Sequence, residues 1–458
     1  MTAVEEVVEL SIVVATNRPV KVLKEILTSI FETSPLTTEV IVINDDPKRK
    51  ISEKDFIVFP NLDFSTNDKF QISILNNDSN KGPGYSRNRG VEIAKGSYIL
   101  FIDDDDEIDL SILGCLNEVN NNADIVCLGF EDTSGVFTNY DLQSKLPNRE
   151  CFESEILQIA FINNTFLPAQ IQPYLFHKSF LEENKIRFPD AYVGEDLAFN
   201  TMAMLKCRII LNLPGFFYRY VSRPGTLKSS QGVDRSLDLL QCLLDINNFK
   251  NNILQMDKIS NSFCKEILIF YQSLFCMRVL LADKESDVPF ISSEYSNEED
   301  FRLFNDAFNN KHPIKDLRNH IDKYANEVKI LCVQNLLPVL KNFTKVFVFC
   351  VGSLGRAIAR LVLEGCKKEV IFVDAMFDKF PTKQVDGLEI ISPEHLDHSG
   401  DSKCVIICNP QPAIEKKIAN EIKKKENSLG LKSSKLIFGS QVIKESAMSF
   451  FGKCEVVF

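Results

Sequence analysis

Four consecutive carboxylates, Asp103 to Asp106, follow directly on an apolar run from Tyr98 to Ile102. The apolar run predicts a buried strand, so four like charges lie together at a strand end and repel one another unless a cation sits among them. Mg²⁺ and Mn²⁺ prefer hard carboxylate oxygens and readily share their ligand shell with phosphate. Strand alternation would point Asp103 and Asp105 the same way, which predicts two ligands for one divalent ion. A solvated acidic turn without an ion is the alternative.

Two earlier strands, predicted over residues 10–15 and 39–44, also end in polar residues. These are Thr16, Asn17, Arg18, Asp45 and Asp46. Strand and helix signals alternate over residues 10–110, which predicts a mostly parallel sheet with helices on both faces. Ligands bind beyond the carboxyl ends of the strands in such sheets, so we expect three strand ends to share one polar crevice.

The pattern changes twice further along the chain. Between residues 229 and 340, Leu, Ile and Phe recur at helical spacing, which predicts a helical segment whose role is packing. A charged stretch at residues 283–300 interrupts it and is expected to be an exposed loop. From Val346 onward strand and helix alternate again. We therefore predict an α/β domain over residues 1–230, a helical region over 231–340 and a small α/β domain over 341–458.

Composition limits the possible functions. The 458 residues are 45% apolar and 25% charged, as in a soluble globular protein of two or three domains. The formal charge of −11 argues against a nucleic-acid binder. Thirteen cysteines with no C-x-x-C pair indicate reduced thiols in a cytosolic protein. The acidic amino terminus does not resemble a signal peptide, and no apolar run approaches the roughly 20 residues that span a bilayer. We expect a cytoplasmic protein, with peripheral membrane contact left open.

Several blocks of the sequence resemble family 2 glycosyltransferases of the GT-A fold. The donor half of that family is similar to residues 11–18, 39–45, 80–90 and 96–106, and the acceptor half to residues 178–188, 194–199 and 217–226. The blocks occur in the family's order and span about residues 10–230, half of the chain.

For the donor, the resemblance implies that Thr16 and Asp45 contact the nucleoside and that Arg87 holds the base or diphosphate. Gly82 and Gly84 would let the backbone approach the ligand. Without the resemblance, Asp45 could cap a turn and Arg87 could form a surface ion pair. The wider set of implied donor contacts adds Asn17, Asp103, Asp104, Arg219 and Arg223, of which the two arginines could instead contact the acceptor.

The family's D-x-D pair maps to Asp103 and Asp105. The resemblance implies that Asp103 reaches the ribose or sugar, and that Asp105 holds a Mn²⁺ or Mg²⁺ ion that bridges both phosphates, with Asp106 assisting. Family members often carry a small residue at the position of Asp104. The additional carboxylate here leaves open which oxygens contact the donor and the metal ion.

The pair Glu195-Asp196 resembles the family's E-D signature. The resemblance implies that Asp196 takes the proton of the acceptor hydroxyl, with Glu195 as the fallback, and that the anomeric carbon inverts. Adjacent carboxylates raise one another's pKa, which suits a base. An acidic helix N-terminus is the alternative interpretation of this pair.

A weaker pattern lies near the carboxy terminus. Gly352 and Gly355 follow a predicted strand and open a predicted helix, and Asp374 lies about twenty residues further on. The pattern resembles a degenerate Rossmann-type nucleotide site, because Cys350 stands where the first glycine is expected. NAD, a nucleotide sugar and no ligand all stay open.

The resemblance implies a metal-dependent inverting glycosyltransferase that moves a sugar from a nucleotide-diphosphate-sugar donor to a saccharide hydroxyl, free or lipid-linked, in surface-polysaccharide synthesis. A sugar-nucleotide pyrophosphorylase is disfavoured because no glycine-rich loop follows the first strand. A non-catalytic nucleotide-binding scaffold and an NAD-linked activity in the carboxy-terminal domain stay open. The sequence leaves open the donor base, the sugar, the acceptor, the linkage and the oligomeric state.

Overall fold

The computed structural model describes residues 8–56, 69–117, 123–132, 139, 143–163, 169–221, 233–282, 298–349, 353–374, 383–393, 404–408, 412–429, 434–454 and 456. The chain divides into two compact units, the first of residues 1–230 with 244–264, the second of residues 231–243 with 265–458. None of the helices in these described ranges is both long and apolar enough to cross a membrane.

Within the described ranges, the first unit contains a mixed sheet of nine strands. In chain order they are β1 (Leu10–Thr16), β2 (Thr38–Asn44), β3 (Phe70–Asn76), β4 (Tyr98–Asp103), β5 (Glu107–Ile108), β6 (Ile125–Asp132), β7 (Cys151–Glu153), β8 (Tyr174–His177) and β9 (Ile209–Tyr220). The spatial order is β3-β2-β1-β4-β8-β6-β9-β5, and β7 also pairs with β9. The run from β3 to β4 is parallel, whereas β8 is antiparallel to both β4 and β6. The expected α/β fold with a mixed sheet is confirmed.

Helices cover this sheet. They are α1 (Val20–Thr33), α2 (Pro83–Ile93), α3 (Glu155–Ile162), α4 (Lys178–Glu183) and α5 (Glu195–Lys206), with 3₁₀ turns at Glu53–Asp55 and Ser111–Asn117. Helix α1 buries Leu23, Ile26, Leu27 and Ile30, the 3.6-residue spacing that its sequence shows. Strand β2 is buried along its whole length, as expected for a strand covered on both faces.

The middle of the chain is helical, as predicted. It contains α6 (Val233–Asn251), α7 (Lys258–Ala282), α8 (Glu298–Phe308), a 3₁₀ turn (Ile314–His320) and α9 (Ile321–Leu340). The charged stretch at 283–300 was expected to be an exposed loop, and residues 283–297 lie outside the described residues. Its last residue, Asp300, is instead buried in the first turn of α8, because His320 Nδ1 lies 2.7 Å from its carboxylate and the Tyr324 hydroxyl donates to its backbone oxygen at 2.9 Å.

The carboxy-terminal part forms a second α/β sheet. Its described strands are β10 (Lys345–Phe349), β11 (Glu369–Val373), β12 (Gln384–Val385), β13 (Leu388–Ile391), β14 (Cys404–Ile407) and β15 (Lys435–Phe438). They lie in the order β12-β13-β11-β10-β14-β15, and every pairing except β12 with β13 is parallel. The helices are α10 (Ser353–Arg360), continued by a π-helical turn (Leu361–Gly365), α11 (Pro412–Leu429) and α12 (Gly439–Lys453).

Candidate active site

The acidic cluster begins where β4 ends. Asp103 is the last residue of β4, and Asp104 and Asp105 form the turn that follows. The argument from strand alternation, which would point Asp103 and Asp105 the same way, therefore does not reach Asp105. The four carboxylates have different protein partners instead.

Arg18 holds the two carboxylates of the turn. Its Nη2 lies 2.5 Å from Asp104 Oδ1 and 2.9 Å from Asp105 Oδ2. The Thr16 hydroxyl, at the end of β1, donates to the other oxygen of Asp104. Burial raises the pKa of Asp104 to about 6, although Thr16 and Arg18 favour its charged form. The polar ends of β1 and β4 are thus brought together, as the sequence predicted.

Asp106 lies on the side of β9. The Tyr218 hydroxyl donates to its Oδ2, and the Val221 backbone N–H donates to its Oδ1 at 2.8 Å. Burial, and next the charge of Asp103, raise the pKa of Asp106 to about 7. Asp106 therefore fixes the end of β9, and its assistance to a metal ion stays a prediction.

Arg87 is the centre of the site. It projects from α2, its side chain is only 4% exposed, and its guanidinium contacts three carboxylates. Nη2 donates to Asp103 Oδ1 at 3.0 Å, and Nη1 donates to Asp196 Oδ1 at 2.6 Å and to Glu195 Oε1 at 3.1 Å. Burial disfavours the charged form of Arg87, but the attraction of the three carboxylates outweighs it and raises the pKa of the guanidinium. The expected alternative, a surface ion pair, is wrong because the side chain is buried.

Glu195 and Asp196 begin helix α5, directly after Gly194, which adopts a positive φ of 88°. Burial, and next the charge of Asp196, raise the pKa of Glu195 to about 8, although Arg87 opposes the shift. One cation faces three carboxylates, so a proton on one of them reduces the excess negative charge. The Asp196 side chain is 20% exposed and that of Glu195 is 9% exposed, so Asp196 is the more accessible of the two.

Asp45, which follows β2, anchors the glycine-rich loop. Its Oδ1 accepts from the Lys81 backbone N–H and its Oδ2 from that of Gly82, both at 2.8 Å. Asn77 donates to the same Oδ1 at 2.7 Å. Gly82 has a positive φ of 87° directly before α2, and the expected turn-capping role of Asp45 is present in these contacts. Its predicted contact with a nucleoside stays a prediction.

Gly84 is required by a close approach of two segments. A Cβ at this position would lie 2.7 Å from the Pro189 backbone oxygen and 3.1 Å from Phe188 Cβ. The predicted reason for this glycine was approach to a ligand, but the structure gives a protein segment, that before α5, as its neighbour. The glycine lets α2 carry Arg87 close to the residues of the acceptor half.

The remaining residues that were predicted to contact the donor are Asn17, Arg219 and Arg223. Asn17 is exposed, directly after β1. Arg219 forms ion pairs with Glu107 at 2.7 Å and Glu131 at 2.6 Å, so that it joins β5 and β6 to β9. Arg223 lies outside the described residues.

The carboxylates of the acidic cluster fit a divalent ion whose other ligands come from phosphate. Among the described residues, no three His, Cys, Asp or Glu side chains form a group that could hold a metal ion by themselves. Mg²⁺ in phosphate-transfer sites needs only one or two carboxylates, because substrate phosphates and water supply the other ligands. The side chains of Asp103 and Asp105 are 34% and 13% exposed, whereas those of Asp104 and Asp106 are buried. Asp103 and Asp105 are thus the pair that fits this requirement.

The carboxy-terminal nucleotide site cannot be assembled from the described residues, since Cys350 and Gly352 lie outside them. Gly355 lies in the first turn of α10, and Asp374 follows β11, the strand that pairs with β10. Both positions accord with the strand–helix context expected from the sequence. A nucleotide ligand there stays a prediction.

Three side chains that organise the site were not among the predicted site residues. They are Arg18, Tyr218 and Gln172, whose Nε2 donates to Asp103 Oδ2 at 2.9 Å. Arg18 lies in the polar triplet after β1, so its position did provide a signal. Tyr218 is in an apolar strand and Gln172 follows a loop without periodicity, so neither could be identified from spacing.

Comparison with known proteins finds similar proteins for the first half of the chain. Residues 11–179 match the family model described as Glycosyl transferase family 2. A cholesterol galactosyltransferase of Borreliella burgdorferi is 26% identical over 254 residues, which are 51% of this chain and 65% of that protein. The uncharacterized glycosyltransferase EpsJ of Bacillus subtilis is 26% identical over 212 residues, 45% of this chain and 58% of that protein. The chain thus spans less than two thirds of the length of either relative.

Poly(ribitol-phosphate) β-N-acetylglucosaminyltransferase TarS of Staphylococcus aureus is 24% identical over 223 residues, 46% of this chain and 35% of that protein. A crystal structure of S. aureus TarS 1–349 in complex with UDP-GlcNAc aligns with 18% identity and a TM-score of 0.43, over 70% of this chain and 90% of that one. The mannosyltransferase PcManGT from Pyrobaculum calidifontis, in complex with GDP-Man and Mn²⁺, aligns with 12% identity and a TM-score of 0.40, over 70% and 86%. Over residues 11–179, this chain is therefore similar to glycosyl transferase family 2.

Proposed function

We propose that this protein transfers a sugar, with inversion, from a nucleotide-diphosphate-sugar donor to a saccharide hydroxyl. One observation carries the proposal: the guanidinium of Arg87 lies 3.0 Å from Asp103 and 2.6 Å from Asp196. It joins the carboxyl end of β4, where the donor is expected, to the start of α5, where the base is expected. Two carboxylates ninety-three positions apart in sequence thereby face one crevice.

Asp196 is the proposed base. Its side chain is 20% exposed, against 9% for Glu195, so an acceptor hydroxyl can reach Asp196 more readily. A base must lie within hydrogen-bond reach of the proton that it takes, so the geometry favours Asp196 as the acceptor of the hydroxyl proton. Arg87 then serves as a positioning residue that fixes the Asp196 carboxylate.

In the proposed reaction, the acceptor hydroxyl oxygen forms a bond to the anomeric carbon while its proton passes to Asp196. The bond between that carbon and the diphosphate oxygen breaks on the opposite face, and its electron pair leaves with the nucleoside diphosphate. Attack opposite the leaving group inverts the configuration. Asp196 accepts the one proton that is released, and because no atom changes its oxidation state overall, the reaction needs no oxidant or reductant.

The donor side is proposed to use Thr16, Asp45 and Arg87 near the nucleoside and diphosphate. Asp45 fixes the backbone of the glycine-rich loop at 2.8 Å, which supplies a rigid edge for the ligand. Asp103 and Asp105 would hold a Mn²⁺ or Mg²⁺ ion, which when bound offsets the charge of the departing diphosphate. Arg18 already neutralises part of the acidic turn at 2.5–2.9 Å, so the turn keeps its shape without the ion.

The names of the relatives suggest the class of substrates. Curated relatives are named as transferring galactose to cholesterol, and glucose or N-acetylglucosamine to poly(ribitol phosphate). They support a hexose or N-acetylhexosamine donor and a hydroxyl of a surface glycan, or of a lipid-linked saccharide, as the acceptor. We place the activity in the cytoplasm, in keeping with the thirteen cysteines, of which the described ones form no disulfide.

The test is transfer by Asp105→Asn and Asp196→Asn variants, assayed as release of the nucleoside diphosphate. Each should lose transfer by at least about a thousandfold while keeping the wild-type circular dichroism spectrum. Asp322→Asn, an exposed residue of α9, removes the same charge far along the chain and is the matched control. Wild-type turnover in both site variants would refute the assignment. Oxidation of NADH by the wild-type protein and equally by both site variants would favour the alternative, an NAD-linked activity in the carboxy-terminal domain.

A further inference from the structure

Helix α11 presents a row of lysines to solvent. Four exposed lysines lie on one side of this helix, at positions 416, 417, 423 and 424. Lys416 and Lys423 are seven residues apart, as are Lys417 and Lys424, so they form two rows that repeat after two helical turns, about 10.5 Å along the axis. Asn420 lies between the rows. We call this surface the lysine face.

The opposite side of α11 is fixed to its own sheet. Ala419 and Ile422 are buried in the core formed with β10, β14 and neighbouring strands. Two buried glutamates add polar contacts: Glu415 accepts from the Ser440 backbone N–H and Glu426 from that of Ser434, both at 3.1 Å. The helix cannot turn over without losing these contacts, so the lysine face stays outward.

The described part of the chain contains no carboxylate that pairs with these lysines. Only Glu421, among the described residues of α11, is an exposed carboxylate at the edge of the face. A local excess of positive charge therefore persists on a chain whose formal charge is −11. An uncompensated patch on an acidic protein is attracted to anions while the rest of the protein is repelled, which orients the molecule.

The shape of the lysine face favours a flat, extended anionic partner. A shallow groove of about 380 Å³ over this face is lined by residues of α11, namely Lys416, Lys417, Asn420, Glu421 and Lys424. None of the five residues that line the groove is an arginine, which could hold a phosphate in two-point contact, or an aromatic residue, which could stack on a base. Lysines act as separate point charges, which suits attraction to many headgroups at once rather than enclosure of one phosphate.

We propose that the lysine face of α11 docks this protein on an anionic phospholipid surface. Because the apolar side of α11 is buried in its own core, docking is electrostatic and does not involve insertion of the helix. Each lysine close to an anionic bilayer strengthens binding about fivefold, so four give an effect of several hundredfold. This inference does not depend on the proposed transfer reaction.

The test is cosedimentation of the full chain with vesicles of phosphatidylcholine, with and without phosphatidylglycerol, at low and at high salt. The wild-type protein should bind only the anionic vesicles, and salt should abolish binding because it screens the charges. The lysine-face variant is Lys416→Gln, Lys417→Gln, Lys423→Gln and Lys424→Gln. It should bind the anionic vesicles at least about a hundredfold more weakly. Glutamine keeps the helix propensity, and circular dichroism checks the fold.

A matched control removes four exposed lysines from other helices. It carries Lys21→Gln, Lys24→Gln, Lys258→Gln and Lys265→Gln. Unchanged binding in this control, with loss in the lysine-face variant, supports the proposal. Failure of the wild-type protein to prefer anionic vesicles, or an equal loss in the control, overturns it. Lysine-dependent binding of soluble polyphosphate without vesicle binding also overturns it, in favour of a free phosphate polymer.

Discussion

Replacing Arg87 with methionine should break the contact between the two halves of the site. Arg87 is 4% exposed, and its loss leaves Asp103, Glu195 and Asp196 facing one another without a cation. Removing one partner of a buried ion pair costs about 3–5 kcal/mol, because the charge that stays behind is uncompensated. With three carboxylates dependent on one guanidinium, we expect a cost near the upper end of this range.

The cost should depend on pH in a defined direction. Without Arg87, the pKa of Glu195 should lie still further above its unfolded value, since no cation then offsets burial and the charge of Asp196. The folded variant then binds more protons than the unfolded one, so its stability falls as the pH rises above about 4. The destabilisation relative to wild type should therefore be larger at about pH 8 than at about pH 5.

Arg89→Met is the matched control, two residues further along α2. Its guanidinium donates to neutral acceptors, the Asn76 backbone oxygen at 3.3 Å and the Asn77 side-chain oxygen. It should cost about 1–2 kcal/mol at either pH, because no carboxylate is left unpaired. The assay is urea unfolding followed by circular dichroism, in the presence of EDTA. An Arg87→Met variant within about 1 kcal/mol of wild type at both pH values would refute the reasoning, as would equal behaviour of the two variants.

Three further outcomes are expected. Gly84→Ala should destabilise the protein by about 1–3 kcal/mol in urea unfolding, because its Cβ would lie 2.7 Å from the Pro189 backbone oxygen; an unchanged midpoint would contradict that contact. Asp106 has a folded pKa of about 7, above its unfolded value, so it lowers wild-type stability as the pH rises from about 4 to about 7. The melting temperature of Asp106→Asn, measured as a function of pH, should not show this part of the decrease. A pH profile parallel to that of the wild-type protein would contradict the raised pKa of Asp106. Arg219→Ala should change stability by less than about 1 kcal/mol, since its ion pairs are at the surface, but should raise the KM for donor if the arginine contacts the diphosphate.

The parallel part of the first sheet could be predicted closely from sequence. Strand β1 was predicted over residues 10–15 and is Leu10–Thr16, and β2 was predicted over 39–44 and is Thr38–Asn44. These strands are continuous apolar runs bounded by polar residues, so local pattern suffices. Helix α2 begins at Pro83, because proline is favoured at the first position of a helix.

The antiparallel part of the first sheet was harder to predict from the sequence. Strand β8 pairs with β4 and β6, and β6 pairs with β9 over a distance of about eighty residues with irregular register. Such pairings depend on tertiary contacts rather than on local periodicity. No pattern was found between residues 131 and 171, where β7 and α3 lie.

In the candidate site, too, single residues could be predicted from the sequence but the contacts between them could not. The family resemblance located Arg87, Asp103 and Asp196, but not the contacts among them. Arg87 and Asp196 are 109 positions apart, and no local rule relates residues at that separation. Gln172, which donates to Asp103, carried no sequence signal because an isolated glutamine near a loop is common.

Donor binding is the most direct test of the central claim, that the polar crevice at the ends of β1, β2 and β4 holds a nucleotide sugar. The measurement is a thermal-shift series on the wild-type protein with UDP-, GDP-, CMP- and dTDP-linked sugars, each with Mn²⁺, with Mg²⁺ and with EDTA. A donor at about 100 times its Kd should stabilise the native state by about 2.7 kcal/mol. We predict that one nucleotide raises Tm, that EDTA removes the rise, and that Asp105→Asn abolishes it. No rise with any of the four donors, or a rise that persists in EDTA and in Asp105→Asn, would contradict the account.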